Sequence, residues 1–180
     1  MPEQSKSKDK TDSEAEPSQP NGASDIVRRK PDSENAYFAL TVAADLLGSA
    51  QSKMGLKDYA GSLVDSKNCI RMSASALLYK DGYVAGTFES TLFYLEKNYA
   101  GMFPLEDWKI IENMTPEEKG GLFEAISKAL GIKKKQGANF GTEKENAETA
   151  ARVAEKFVLT VRYIFEAHIE EEMAEEGKPE

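Results

Sequence analysis

The chain has 180 residues, 31 acidic and 23 basic, for a formal charge of −8. That length suits one domain with a genuine core, and the acidic balance argues against a generic nucleic-acid-binding face, whose sequence-independent affinity comes from basic surface. A single cysteine, Cys69, excludes an internal disulfide and a cysteine-rich zinc site, and a single histidine, His168, excludes a multi-histidine metal centre.

No apolar run approaches the roughly 20 residues needed to span a bilayer. The start of the chain carries no charged-then-apolar leader, so the expected setting is cytoplasmic, with no membrane partner. Nothing in the composition calls for a cofactor or a metal.

Residues 1–33 are rich in Ser, Lys, Asp, Glu, Pro and Gln and are expected to form a disordered tail, because they bury too little apolar surface to offset ordering. Arg28, Arg29 and Lys30 form a basic cluster near its end, a handle for RNA or an acidic partner, or else an ordinary solvated stretch. The bundle domain is expected over residues 34–176, with 177–180 a disordered end.

A first helix is expected from Asp32 or Ser33, either able to cap it, to Gly55. Tyr37, Leu40, Ala44, Leu47 and Gln51 fall at helical spacing along it. A second helix should begin near Leu56 to Asp58, run back antiparallel, and stop at Asp81-Gly82. Its wide apolar face holds Tyr59, Ala60, Leu63, Val64, Ile70, Ala74, Leu77 and Leu78, and the small Ala60, Ser62, Ser66, Ser73, Ser75 and Ala76 would let neighbours approach closely.

Asp65, Asn68 and Arg71 follow one another at three-residue steps, so their side chains are neighbours. Arginine can grip a phosphate bidentately with an acid to orient it, which makes the trio a candidate ligand site. A solvated stripe or an interhelical salt bridge is the simpler account. Cys69, inside the same helix, is expected to be an inert core thiol.

A third helix over about Thr87 to Tyr99 carries an aromatic group expected to fill the core. A short helix around Leu105 to Asn113 should be anchored by Trp108. Thr115-Pro116-Glu117-Glu118 is the sharpest helix start in the chain, opening a segment that Gly131 closes. Residues 132–141, IKKKQGANFG, form a loop in which Lys133, Lys134 and Lys135 could meet phosphates and Phe140 could stack on a base. The lysines also suit a helix C-terminus with no ligand at all.

Thr142 and Glu145 make a second capping box for a last helix of about 30 residues. Ala147, Ala151, Ala154, Val158, Val161, Phe165 and His168 form its expected packing seam, and an acidic end follows. No strand is expected, so the fold class is all-α, an up-and-down helical bundle.

Two stretches carry a family resemblance: GLKDYAGSLVDSKNCIRMSASALLYKDG in the second helix and KKKQGANFGTEKENAETAARVAEKFVLTV at the loop and last helix. They resemble the second helix, basic loop and alanine-rich last helix of the HEPN (higher eukaryotes and prokaryotes nucleotide-binding) family. The resemblance covers roughly Asn35 to Phe165. It implies a helical bundle, commonly a homodimer, that binds RNA or nucleotides, often beside a nucleotidyltransferase partner. Active members are metal-independent ribonucleases with an Arg-x(4–6)-His motif.

At the corresponding loop this chain has Lys133, Lys134, Lys135, Asn139 and Phe140 and no histidine. The expectation is therefore a catalytically degenerate binding or accessory protein rather than an enzyme. Arg162 and His168 satisfy the spacing, but six residues at 100° each separate them by about 120° around one helix, so a shared site would need a second chain. A ribonuclease using those two residues across a dimer, and a purely structural interaction bundle, are the alternatives.

Overall fold

The computed structural model describes residues 25–115 and 142–176. In chain order the elements are β1 (Ile26–Arg28), α1 (Ser33–Gly55), α2 (Tyr59–Asp81), β2 (Tyr83–Ala85), α3 (Phe88–Asn98), α4 (Leu105–Asn113) and α5 (Glu143–Glu176). It is an all-α bundle carrying one small antiparallel sheet. The segment opened by Thr115-Pro116, with its closing Gly131, lies outside the described residues beyond Thr115, as do Lys133, Lys134, Lys135 and Phe140.

The helices begin where side chains can satisfy backbone donors. Asp32 caps α1 by accepting from Asn35 N at 3.0 Å, Asp58 caps α2 from Gly61 N at 3.0 Å, and Thr87 caps α3 from Ser90 N at 3.1 Å. At α5, Thr142 Oγ1 accepts from Glu145 N while Glu145 Oε2 accepts from Thr142 N at 2.8 Å, the reciprocal bonds of a capping box. The α1–α2 turn differs in detail from a glycine cap. Gly55 ends the helix, but the left-handed residue is Lys57, at φ 61°.

Helix α2 is the centre, packed along both α1 and α5. Its buried line includes Leu63, Cys69, Ile70, Ala74, Leu77 and Leu78, with Ser62, Ser66, Ser73 and Ala76 fully inside. Val64, expected on this face, is instead 42% exposed. The core face of α1 is also rotated from the expected one. Ala36, Ala39, Leu40, Ala43 and Ala50 are buried, whereas Tyr37 is 48% exposed. Small side chains on both helices let the backbones approach, so the contact is made by alanines and serines instead of large residues.

Helix α5 buries Ala147, Ala150, Ala151, Val153, Ala154, Phe157, Val158, Val161 and Phe165. The expected seam therefore holds through Phe165, but its last member, His168, is exposed. Phe157 meets the fully buried Trp108 of α4 edge to face at 5.2 Å and lies tilted against Phe103 at 4.9 Å, and Trp108 meets Phe88 edge to face at 4.9 Å. From Phe103 the ring contacts pass through Tyr99 and Tyr94 to Tyr83. Phe88, Tyr99 and Trp108 thus join the core, as expected from their spacing, whereas Phe93 stays outside the core cluster.

The sheet corrects two expectations, that no strand would form and that residues up to Ser33 would be a disordered tail. Ile26, Val27 and Arg28 pair with Ala85, Val84 and Tyr83. Arg29 N donates to Gly82 O at 2.7 Å, and Asp32 N to Tyr79 O at 2.9 Å. This seats the chain before α1 on the end of α2. Gly82 makes the approach feasible. It has φ 75°, and a Cβ there would lie 2.6 Å from Arg29 O and 2.9 Å from Pro31 N. Residues 1–24 lie outside the described residues.

Candidate functional site

The polar stripe of α2 does not converge on one point: Asp65 and Arg71 are paired to different helices. Asp65 is buried and faces α1, where Ser49 Oγ donates to its Oδ2 at 2.6 Å and Lys53 Nζ lies 2.7 Å from the same oxygen. Burial alone would raise the pKa of this carboxyl. The bonds from Lys53 and Ser49 and the Lys53 charge outweigh that, leaving it below the ordinary value. Two turns on, the exposed Arg71 pairs with Glu112 of α4. Asn68, between them, is half-buried.

Lys67, not singled out as a site residue, donates to the carbonyls of Glu112 and Met114 at 2.8 and 3.1 Å, tying down the end of α4. Burial draws its pKa below the usual lysine value. So Asp65 belongs to the α1–α2 contact and Arg71 to the α2–α4 contact. The interhelical salt-bridge account describes them both.

Arg162 and His168 are both exposed on α5. His168 lines a cleft of about 610 Å³ at the end of the bundle where α1 begins and α2 ends, and Arg162 is not part of that lining. The cleft is walled by Pro31, Ser33, Ala36 and Tyr37 on one side, Lys80 and Asp81 on another, and Phe165 and His168 on the third. Tyr37 and Phe165 meet edge to face at 5.2 Å, forming a continuous aromatic wall.

The best-organised polar group in the cleft is Asp81. Its Oδ2 accepts from Tyr94 at 2.6 Å and from Tyr99 at 2.5 Å, and its Oδ1 lies 3.3 Å from Lys80 Nζ. Burial raises the pKa of both tyrosines, and the bond each donates to Asp81 raises it further, so the hydroxyls remain protonated donors. The carboxylate is therefore held from behind by α3 and its C-terminal neighbour, while Lys80 supplies a cation beside it. Only His168 of this group stands out in the sequence. Asp81 reads there as half of a helix stop and Tyr99 as a core ring, and no pattern marks Tyr94. No short-range spacing links residues 13 and 18 positions apart.

A second, more open depression of about 380 Å³, lined by Met102, Phe103, Pro104, Lys156, Leu159 and Thr160, has no comparable convergence of polar groups. Among the described residues no three of His, Cys, Asp and Glu gather to hold a metal ion, and no helix is long and apolar enough to cross a membrane. No protein-family model, no curated protein and no solved structure matches this chain. The cleft is the site that its own geometry defines, a semi-enclosed, half-apolar hollow with a fixed carboxylate, a lysine, a histidine and an aromatic wall.

Proposed function

We propose that this protein is a HEPN-like helical binding or accessory module of the cytoplasm, catalytically degenerate, whose cleft takes a nucleotide or a single-stranded RNA residue. It works as a homodimer, beside a nucleotidyltransferase partner. The observation that carries the reading is the cleft itself. Its volume suits a small organic ligand, its Tyr37–Phe165 wall suits a flat ring, and Lys80 supplies hydrogen-bond donors. Arg162 lies outside the lining, which weighs against a phosphodiester-cleaving pair with His168 on one chain.

Calorimetric titration of the full chain with nucleoside triphosphates and with a short single-stranded RNA tests it. Saturable binding is expected, weakened about fivefold or more by Lys80→Gln, a loss of roughly one polar contact. Absence of any saturable binding would leave the structural interaction bundle, a reading favoured by the use of Asp65 and Arg71 as ties between helices. RNA cleavage by the parent, abolished in His168→Ala with the helical content intact, would establish the ribonuclease instead.

A further inference from the structure

The nucleotide reading leaves open which end of the ligand enters the cleft. The floor is nearly neutral: Lys80 and Asp81 are adjacent and opposite in charge, with Nζ and Oδ1 3.3 Å apart. A phosphate placed there gains attraction from the lysine and loses about as much to repulsion by the carboxylate, since both act over similar distances. A neutral heterocycle fits it better. Lys80 offers N–H donors, and Asp81 Oδ1 has lone-pair capacity beyond the lysine contact. Together they present a donor beside an acceptor, which is what the hydrogen-bonding edge of a nucleobase requires. Tyr37, half exposed and braced by Phe165, offers the ring for stacking.

Positive charge without an ion-pair partner precedes the lining in the chain. Arg28, Arg29 and Lys30 are all exposed, and none forms an ion pair with another described residue. They are not free to wander from the cleft. β1 pairs Arg28 with Tyr83, Arg29 N is bonded to Gly82 O, and Lys30 immediately precedes Pro31 of the lining. The basic cluster near the start of the chain is thereby fixed by its backbone beside the end of α2, next in sequence to Pro31 of the lining.

We infer that the cleft takes its nucleotide base first, with Asp81 and Lys80 reading the base edge against Tyr37, and leaves the phosphates to Arg28, Arg29 and Lys30 at the mouth. The inference rests on the nucleotide reading above. Asp81 is then a specificity-determining residue, and Tyr94 and Tyr99 are positioning residues that act through it.

The test is calorimetric titration of the full chain at low salt with the four nucleosides, their triphosphates and inorganic tripolyphosphate. At least one nucleoside should bind, and its triphosphate should bind about 10-fold more tightly. That gain should vanish in Arg28→Gln/Arg29→Gln/Lys30→Gln, whose nucleoside affinity should match the parent. Tyr37→Ala, which alters a half-exposed side chain, should weaken nucleoside and triphosphate alike by about fivefold or more. Asp81→Asn should do the same and shift the preference among bases, with circular dichroism confirming its fold. Tripolyphosphate binding as tightly as the triphosphates, or an unchanged triphosphate gain in the triple variant, would overturn the base-first orientation while leaving nucleotide binding intact. No binding of any nucleoside or triphosphate would overturn the nucleotide reading itself.

Discussion

Replacing Asp65 with asparagine isolates the electrostatic part of the α1–α2 contact. The amide keeps the shape of the side chain and can still accept from Ser49, so packing is preserved and the charge alone is removed. The Ser49 bond, at 2.6 Å to a buried carboxylate, is charge-assisted, and such bonds contribute about 1.5–3 kcal/mol, roughly half of which a neutral amide retains. Lys53 is more exposed, 36% against 12% for the Asp65 side chain, so its pairing is screened and adds about 0.2–1 kcal/mol. The expected loss at neutral pH is about 1–2 kcal/mol, or a fall in Tm of about 2–8 °C for a chain of this size.

The pH dependence supplies the sharper check. Because the folded-state carboxyl titrates below its ordinary value of 3.8, its stabilisation is fully present above that value and is lost as pH falls through the lower folded one. Urea unfolding followed at 222 nm should therefore show a parent–variant difference that is largest near pH 7 and shrinks in acid. A variant as stable as the parent at pH 7, or a difference that persists unchanged below pH 3, would refute the assignment of Asp65 to a stabilising ion pair.

Cys69 is fully buried, and burial pushes its thiol up to about 12. A disulfide-exchange reagent at pH 8 should leave it unmodified in the native protein and label it stoichiometrically in 6 M guanidinium; rapid native labelling would contradict its burial. Gly82→Ala should lower stability by about 1–2 kcal/mol from the left-handed backbone alone, with more from the approach to Arg29 O and Pro31 N. Amide exchange should also show β1 losing protection before the helices do. Equal protection in parent and variant would mean that Gly82 is not what seats β1.

Much of the helical framework was legible in the sequence because its signals are local. Asp32, Asp58, Thr87 and Thr142 sit one residue before their helices, and their side chains bond backbone groups two or three positions on. The burial of Trp108 and most of the α5 seam followed from helical spacing. Side-chain partners across the bundle were not legible in the same way. Asp65, Asn68 and Arg71 are neighbours along α2, yet Asp65 turns to α1 and Arg71 to α4, because each follows the charge on the helix packed against it.

The strand was missed for a related reason. Three residues, Ile26–Arg28, carry too little pattern to declare themselves, and their pairing with Tyr83–Ala85 depends on the backbone approach that Gly82 permits. That pairing also changes the meaning of Arg28, Arg29 and Lys30, from part of a tail to an exposed cluster whose backbone is held on the end of α2. The sequence by itself determined the all-α class, the helix starts, the central place of α2 and the chemical inertness expected of Cys69. Only the tertiary structure decided where function could reside. Tyr37, Lys80, Asp81, Tyr94, Tyr99 and His168 are spread from near the start of the described residues to near their end, and only helix packing sets such residues side by side.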